Sequence, residues 1–464
     1  MTIFTYTTIA AQILFGTFTG IKKGICGGAI IESQPIAEKI MKYCEEKTDN
    51  VTDCVTNVYA CLVISTLLFA LISLLLSYYG AGKFLQYIPK TALYGVMCSI
   101  GISLIKCGVG EIYRTEYKNH LHICMLISIV LCLIAFYIDE KYPGYIFFIP
   151  CYCILIVGIF YGFKLVMGYD MDQLREYEYI PTSKDAKVSL SSITEFISLS
   201  KINLKLILGS LQDIISLTAL NLIHITVNIP CFLNEMKIEG DINSEFKAQG
   251  LSNLITAFLG YPTYFICSTS IFFNRSGGTK KIFSILGGFA LIPIVFIGPK
   301  VREYLPCILL SFIPIYIGGC FILSNLLCYI RLVSYLDLSV ILISALFGVF
   351  SNPVTGLLVG SSLNAFIMAY YYSVKTKKLK SPIITDNRQV IKIDYMSYFM
   401  TIDMLKKDLN IRSGDVLIDL NDCKYLDFES NVILKDYVSD FNGNVLISGT
   451  PLNMYTKEFS GYFL

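Results

Sequence analysis

YACLVISTLLFALISLLLSYY, running from Tyr59 to Tyr79, carries no charged side chain over its whole length. A helix of roughly twenty such residues crosses a hydrocarbon core of about 30 Å. In water the same run would expose far more apolar surface than a soluble helix tolerates. Outward from it, similar runs recur at Ile9–Gly20, Thr91–Gly108, Leu121–Ile138, Tyr145–Met167, Leu204–Ile229, Phe246–Leu259, Ile282–Ile297, Ile308–Leu327, Ser339–Phe350 and Thr355–Tyr372. Each reads as a membrane segment. The composition agrees: 54% of the 464 residues are hydrophobic and 16% charged, with a mean hydropathy of +0.61. This is the usage of a polytopic all-α membrane protein.

Two weaker pieces interrupt the pattern. Gly27–Met41 and Tyr264–Asn274 follow glycine or proline and are rich in small and polar residues, which predicts half-helices. Broken helices at membrane depth are tolerated where their free backbone groups face protein or a polar cavity, and pairs of them mark solute sites. Surface loops are the alternative.

From about Lys377 the chain changes character. Lys377, Lys378 and Lys380 precede Val390–Ile393, Val416–Leu420 and Asn444–Ser448, which read as strands alternating with helices at Asp403–Leu409 and Ser430–Phe441. The expected division is therefore a membrane domain over 1–376 and a small α/β domain over 377–464. Basic residues at the membrane exit put that tail on the cytoplasmic side.

A net charge of +2 and no basic patch with interleaved aromatics argue against a nucleic-acid partner. No Ser-His-Asp, metal-ligand or phosphate-loop constellation stands out, so neither an enzyme nor a cofactor is expected. Most of the sixteen cysteines, among them Cys61, Cys98, Cys132, Cys151 and Cys153, lie in apolar runs as small hydrophobes. Cys44 and Cys54 differ. They flank a polar loop with the sequon Asn50-Val51-Thr52, which suits an oxidising compartment and leaves a disulfide open.

Asp241-Ile-Asn-Ser-Glu-Phe-Lys-Ala-Gln-Gly-Leu-Ser-Asn253 resembles the signature of the SulP anion transporters (solute carrier family 26), which end in a cytoplasmic STAS domain. The resemblance covers nearly the whole chain. Leu222–Pro230, Phe272–Gly278 and Gly28–Pro35 are closer to the family's fungal vacuolar-type branch. Leu417–Leu420 and Tyr425–Ser430 resemble the STAS strand and the turn bearing its phosphorylatable serine, where this chain has Phe428. The resemblance implies fourteen membrane segments in two inverted repeats of seven, with the solute between the third and tenth. Met1–Gly20 looks like the second segment, so about thirteen are expected here.

On that resemblance the two interrupted pieces form the substrate site. Gly27, Gly28, Ser268, Thr269 and Ser270 would supply donors for an anion, since a helix N-terminus carries about half a positive charge; a Ser/Thr run there is also an ordinary cap. His224 lies in an apolar helix where many family members carry glutamate, and is the candidate for proton coupling. A neutral histidine bonded between helices is its bland alternative. Asn228 and Glu32 are further candidates for the cavity, whereas Glu245 and Asn253 are expected to bond backbone.

The function expected from this reading is secondary transport of a small solute by alternating access. An inorganic anion such as sulfate, chloride or bicarbonate is the first choice. An amino acid across a vacuolar membrane is the second, and a non-transporting scaffold using its STAS-like tail the third. The expected partners are the lipid bilayer, the solute and a second copy through the tail, in a plasma or vacuolar membrane.

Overall fold

The computed structural model describes residues 2–29, 33–80, 88–112, 121–142, 147–180, 197–236, 238, 240–327, 334–373, 389–398, 401–409, 413–451, 454, 459 and 462. Its elements run α1 (Thr2–Phe18), β1 (Gly27–Ala29), α2 (Gln34–Lys47), α3 (Val51–Tyr78), α4 (Lys90–Ile112), α5 (Leu121–Lys141), α6 (Phe148–Met167), α7 (Met171–Glu176), α8 (Leu204–Gly209), α9 (Leu211–Glu235) and α10 (Ile242–Thr256). Next come β2 (Thr263–Phe265), α11 (Cys267–Arg275), α12 (Lys281–Ala290), α13 (Ile292–Arg302), α14 (Cys307–Ile322), α15 (Tyr335–Phe350) and α16 (Pro353–Ser373). The tail holds β3 (Gln389–Lys392), α17 (Ile402–Asp408), β4 (Ser413–Asp419), α18 (Phe428–Asp440) and β5 (Asn442–Ser448). Among the described residues eight helical stretches are long and apolar enough to cross a membrane.

Local chemistry sets the ends of these helices. Asn50 caps α3 by accepting the Thr52 N–H at 3.3 Å, and Asp241 starts α10 by accepting the N–H groups of Asn243 and Ser244. Such caps satisfy donors that no intrahelical carbonyl reaches. Two expected spans contain a break and a third changes its winding at the end. Leu204–Ile229 breaks at Ser210 between α8 and α9, and Ile282–Ile297 breaks at Leu291, where Pro293 starts a new helix. The third, Ile308–Leu327, finishes in one widened turn at Leu323–Leu327. The open Cys44–Cys54 disulfide is not formed: both are buried free thiols, packed with Cys61, Ile40 and Ile214. Asn50, the sequon residue between them, serves the α3 cap.

The chain divides into two compact units, one of Met1–Gln86 with Ile100–Cys320 and the other of Tyr87–Ser99 with Phe321–Leu464. In the first, Ala11, Phe15, Ile225, Ile229, Phe232 and Phe246 form the core around β1 and β2. Small residues bring its helices together, as at Gly250, where a Cβ would lie 2.7 Å from Leu74 Cγ on α3. The second unit contains a parallel sheet in the order β3-β4-β5. Its registers run from Gln389↔Val416 to Lys392↔Asp419 and from Ser413↔Asn442 to Asp419↔Ser448. Within this unit the start of α18 meets the start of α4: Lys90 Nζ lies 2.7 Å from Glu429 Oε1, and the Phe428 ring stands edge-on to Tyr94.

Candidate functional site

The two interrupted pieces meet. Strand β1 pairs antiparallel with β2 in the register Gly27↔Phe265, Gly28↔Tyr264 and Ala29↔Thr263. Because the strands run in opposite directions, the helices they feed begin at opposite ends of the pair: α11 starts beside Gly27, α2 beyond Ala29. Each piece is thus a strand followed by a helix. The expected half-helix at Gly27–Met41 is helical only from Gln34.

Glycine is required on β1 for space. A Cβ at Gly27 would sit 1.8 Å from Phe15 Cδ2, and one at Gly28 would sit 2.7 Å from Thr8 Cγ2. The backbone of this glycine segment therefore lies directly on α1, whose side chains take up its polar groups. Gln12 Oε1 accepts the Gly27 N–H at 2.9 Å, while Gln12 Nε2 donates to the carbonyls of Ile25 and Ser284 at 2.9 and 3.0 Å. The Ile25 N–H donates to Ser284 Oγ, the Cys26 N–H to Ser270 Oγ, both at 2.8 Å, and the Ala29 N–H to Thr8 Oγ1 at 3.3 Å.

Strand β2 is held in the same manner. Asn253 Nδ2 donates to the Thr263 carbonyl at 2.7 Å and Asn253 Oδ1 accepts the Thr263 N–H at 2.9 Å. Asn228 Nδ2 donates to the Phe265 carbonyl at 3.1 Å, and the Ile266 N–H to the Cys26 carbonyl at 2.9 Å. Asn274 Nδ2 donates to the carbonyls of Gly24 and Ser270. Nearby, Glu245 accepts the Thr19 hydroxyl and the Gly20 N–H, each at 2.8 Å, and Lys281 Nζ donates to the Thr19 carbonyl. Glu245 and Asn253 thus bond backbone.

His224 is 4% exposed, and its ring stacks on Tyr264 with centroids 4.5 Å apart and planes 19° from parallel. Its Nε2 is buried and meets no hydrogen-bond partner among the described residues. Asn228 lies one helical turn further along α9, so histidine and amide both address β2.

The fold gathers Gly27, Gly28, His224, Asn228 and Ser270 around one strand pair. It also changes what two of them offer. The Gly27 N–H is already engaged by Gln12, and Ser270 Oγ both accepts from Cys26 and donates to the Ile266 carbonyl at 2.6 Å. An unpaired donor in apolar surroundings costs several kcal/mol, on the order of 2–7, so neighbouring side chains occupy it. Ser268 and Thr269 lie in the first turn of α11, whose cap residue Ile266 provides no side-chain hydrogen bond; Thr269 is exposed. Glu32 lies outside the described residues. Gln12 and Ser284 escaped the sequence reading, although a lone amide inside the apolar run Ile9–Gly20 is itself a signal.

A model of the sulfate permease family matches residues 3–345. The vacuolar basic amino acid transporter VSB1 of Saccharomyces cerevisiae is 24% identical over 402 residues, which is 82% of this chain and 38% of that protein. The chain spans well under half the length of that curated relative. The transmembrane domain of a cyanobacterium bicarbonate transporter, BicA, superposes with a TM-score of 0.56 at 13% identity, covering 77% of this chain and 88% of that one. The murine Solute Carrier 26 family member A9 anion transporter, in its inward-facing state, gives 0.54 at 13% identity over 99% of this chain and 86% of that one. The membrane fold is shared with both.

Proposed function

Since this chain belongs to the sulfate permease family, we propose that it is a secondary transporter of a small inorganic anion such as sulfate, chloride or bicarbonate, bound between the starts of α2 and α11. The observation that carries the proposal is the β1–β2 pair, which brings two strand-to-helix breaks to one place. A helix start presents a partial positive charge of about half an electron, so an anion can be held without a buried lysine. In this reading the uncapped first turn of α11, with Ser268 and Thr269, supplies the donors. Asn228 and His224 line the approach and Glu32 is a secondary candidate. Gly27, Gly28 and Ser270 act by keeping the two breaks in register.

His224 is the proposed proton carrier, because an imidazole nitrogen can bind and release a proton and its buried Nε2 meets no partner among the described residues. Alternating access would then move one helix group past the other around the strand pair. The tail from Lys377, with its parallel sheet and helices, is proposed to be a cytoplasmic STAS-like domain that supports a homodimer. Phe428, fully inside the fold, replaces the phosphorylatable serine in that reading.

A second reading, transport of an amino acid across a vacuolar membrane, is favoured by the likeness to the vacuolar basic amino acid transporter. Purified chain in liposomes separates the two. Radiolabelled sulfate, chloride and bicarbonate are expected to accumulate while arginine and lysine do not; the reverse pattern establishes the second reading. No uptake of any of them would leave the scaffold. Whichever solute is carried, His224→Ala is expected to change the dependence of uptake on pH. An unchanged profile and rate would reduce His224 to a packing residue.

A further inference from the structure

Away from the strand pair, the first unit carries a groove of about 400 Å³ between α5 and α6. Ile127, Leu131, Ile156 and Phe160 line its length, and Lys164 and Tyr169 lie at its end. The membrane-spanning stretch of α6 is only 11% buried inside the protein, so this surface faces lipid. The span stops shortly after Lys164, where Gly168 turns into the left-handed region at φ 70°. The polar helix α7 follows, with Arg175 paired to Asp172 at 3.4 Å. Lys164 is therefore about one helical turn, some 5 Å, inside the end of the span, near enough for its ammonium to reach the interface. Tyr169 sits where aromatic residues mark the membrane boundary.

Lys164 is half-buried, and its ammonium forms no ion pair or hydrogen bond with any described residue. A cation at the margin of the hydrocarbon region calls for an anion, and an apolar groove facing the bilayer is filled by hydrocarbon. A free anion would meet only the first demand and an uncharged lipid only the second. We propose that this groove is a binding site for an anionic glycerophospholipid, with one acyl chain along α5 and α6 and the headgroup phosphate on Lys164 Nζ. The site is separate from the proposed transport path and does not depend on it.

The chain has no tryptophan, so a single introduced one reports on its own surroundings. Phe160→Trp places that probe in the groove, and Phe289→Trp, exposed on α12, serves as the control. Both variants go into phosphatidylcholine vesicles in which a fraction of the lipid is replaced by phosphatidylglycerol or phosphatidylcholine with brominated acyl chains. The groove probe is expected to be quenched at about fivefold lower mole fraction by the brominated anionic lipid, the preference one lysine confers on an anionic headgroup. The control is expected to be quenched alike by both. Adding Lys164→Gln should abolish the preference and Lys164→Arg should keep it. Equal quenching by both lipids at the groove, or a preference that survives Lys164→Gln, overturns the proposal. Loss of the preference in millimolar inorganic phosphate, but not in sodium chloride of equal ionic strength, also overturns it by assigning Lys164 to a soluble anion.

Discussion

The chain contains two small β-structures built on opposite terms. In the β3-β4-β5 sheet the strands pair over four and seven positions. Their inward residues Ile391, Val416, Ile418, Val445 and Ile447 join Leu405 and Leu434 in an apolar core. That sheet is held by packing. The β1–β2 pair has three residue pairs and is held by a collar of polar side chains: Thr8, Gln12, Asn228, Asn253, Ser270 and Ser284. On the proposed reading, with the tail in water and the strand pair within the bilayer, the physical difference is the solvent. Beside water an open strand edge finds partners, whereas at membrane depth every N–H and C=O must be satisfied by the protein. A short strand pair there survives only with donors and acceptors lent by its neighbours.

The largest test of this contrast is Gly27→Val. Phe15, which a Cβ would meet, is itself 1% exposed and has nowhere to move. The substitution is expected to cost about 3 kcal/mol by overpacking and to abolish uptake, both read from thermal unfolding of the purified chain and from the liposome assay. Next is Gln12→Leu, which keeps much of the volume but leaves the Gly27 N–H and the carbonyls of Ile25 and Ser284 without their partner. A loss of about 2 kcal/mol is expected. An unfolding temperature equal to that of the parent chain would show that the collar is dispensable.

The smallest effect is expected in the tail. Burial, with the carboxylates of Glu429 and Asp337 nearby, raises Asp427 to about 7, although Ser430 bonds its charged form. The folded state therefore keeps a proton that the unfolded chain releases above about pH 4. Stability should fall as pH rises from there to about 7, with the full penalty present above that. Asp427→Asn can still accept from the Ser430 N–H as a helix cap, and it should remove most of this slope. A parent chain whose unfolding temperature does not fall between pH 5 and 7.5 would refute the assignment.

Legibility followed the same divide. The tail strands, expected at Val390–Ile393, Val416–Leu420 and Asn444–Ser448, occur at Gln389–Lys392, Ser413–Asp419 and Asn442–Ser448. Packing against a core imposes an alternation that sequence records. The interruption before α2 was also visible in its glycines. Its partnership with β2 was not, because a three-residue strand has too little length for periodicity and the side chains that secure it come from elsewhere in the chain. Ser270 illustrates the point: its hydroxyl reads as a candidate ligand in sequence, and in the fold it accepts the Cys26 N–H.

By itself the sequence determined that most of this chain belongs in a bilayer, the approximate positions of its apolar helices and two places where they are interrupted. These follow from hydropathy and backbone preference, which each short stretch carries alone. Only the tertiary structure decided that the interruptions pair with each other, that Gln12 and Asn253 secure them, and that His224 lies flat against Tyr264. Those are matters of which polar group meets which, and a hydrogen bond belongs to two residues at once.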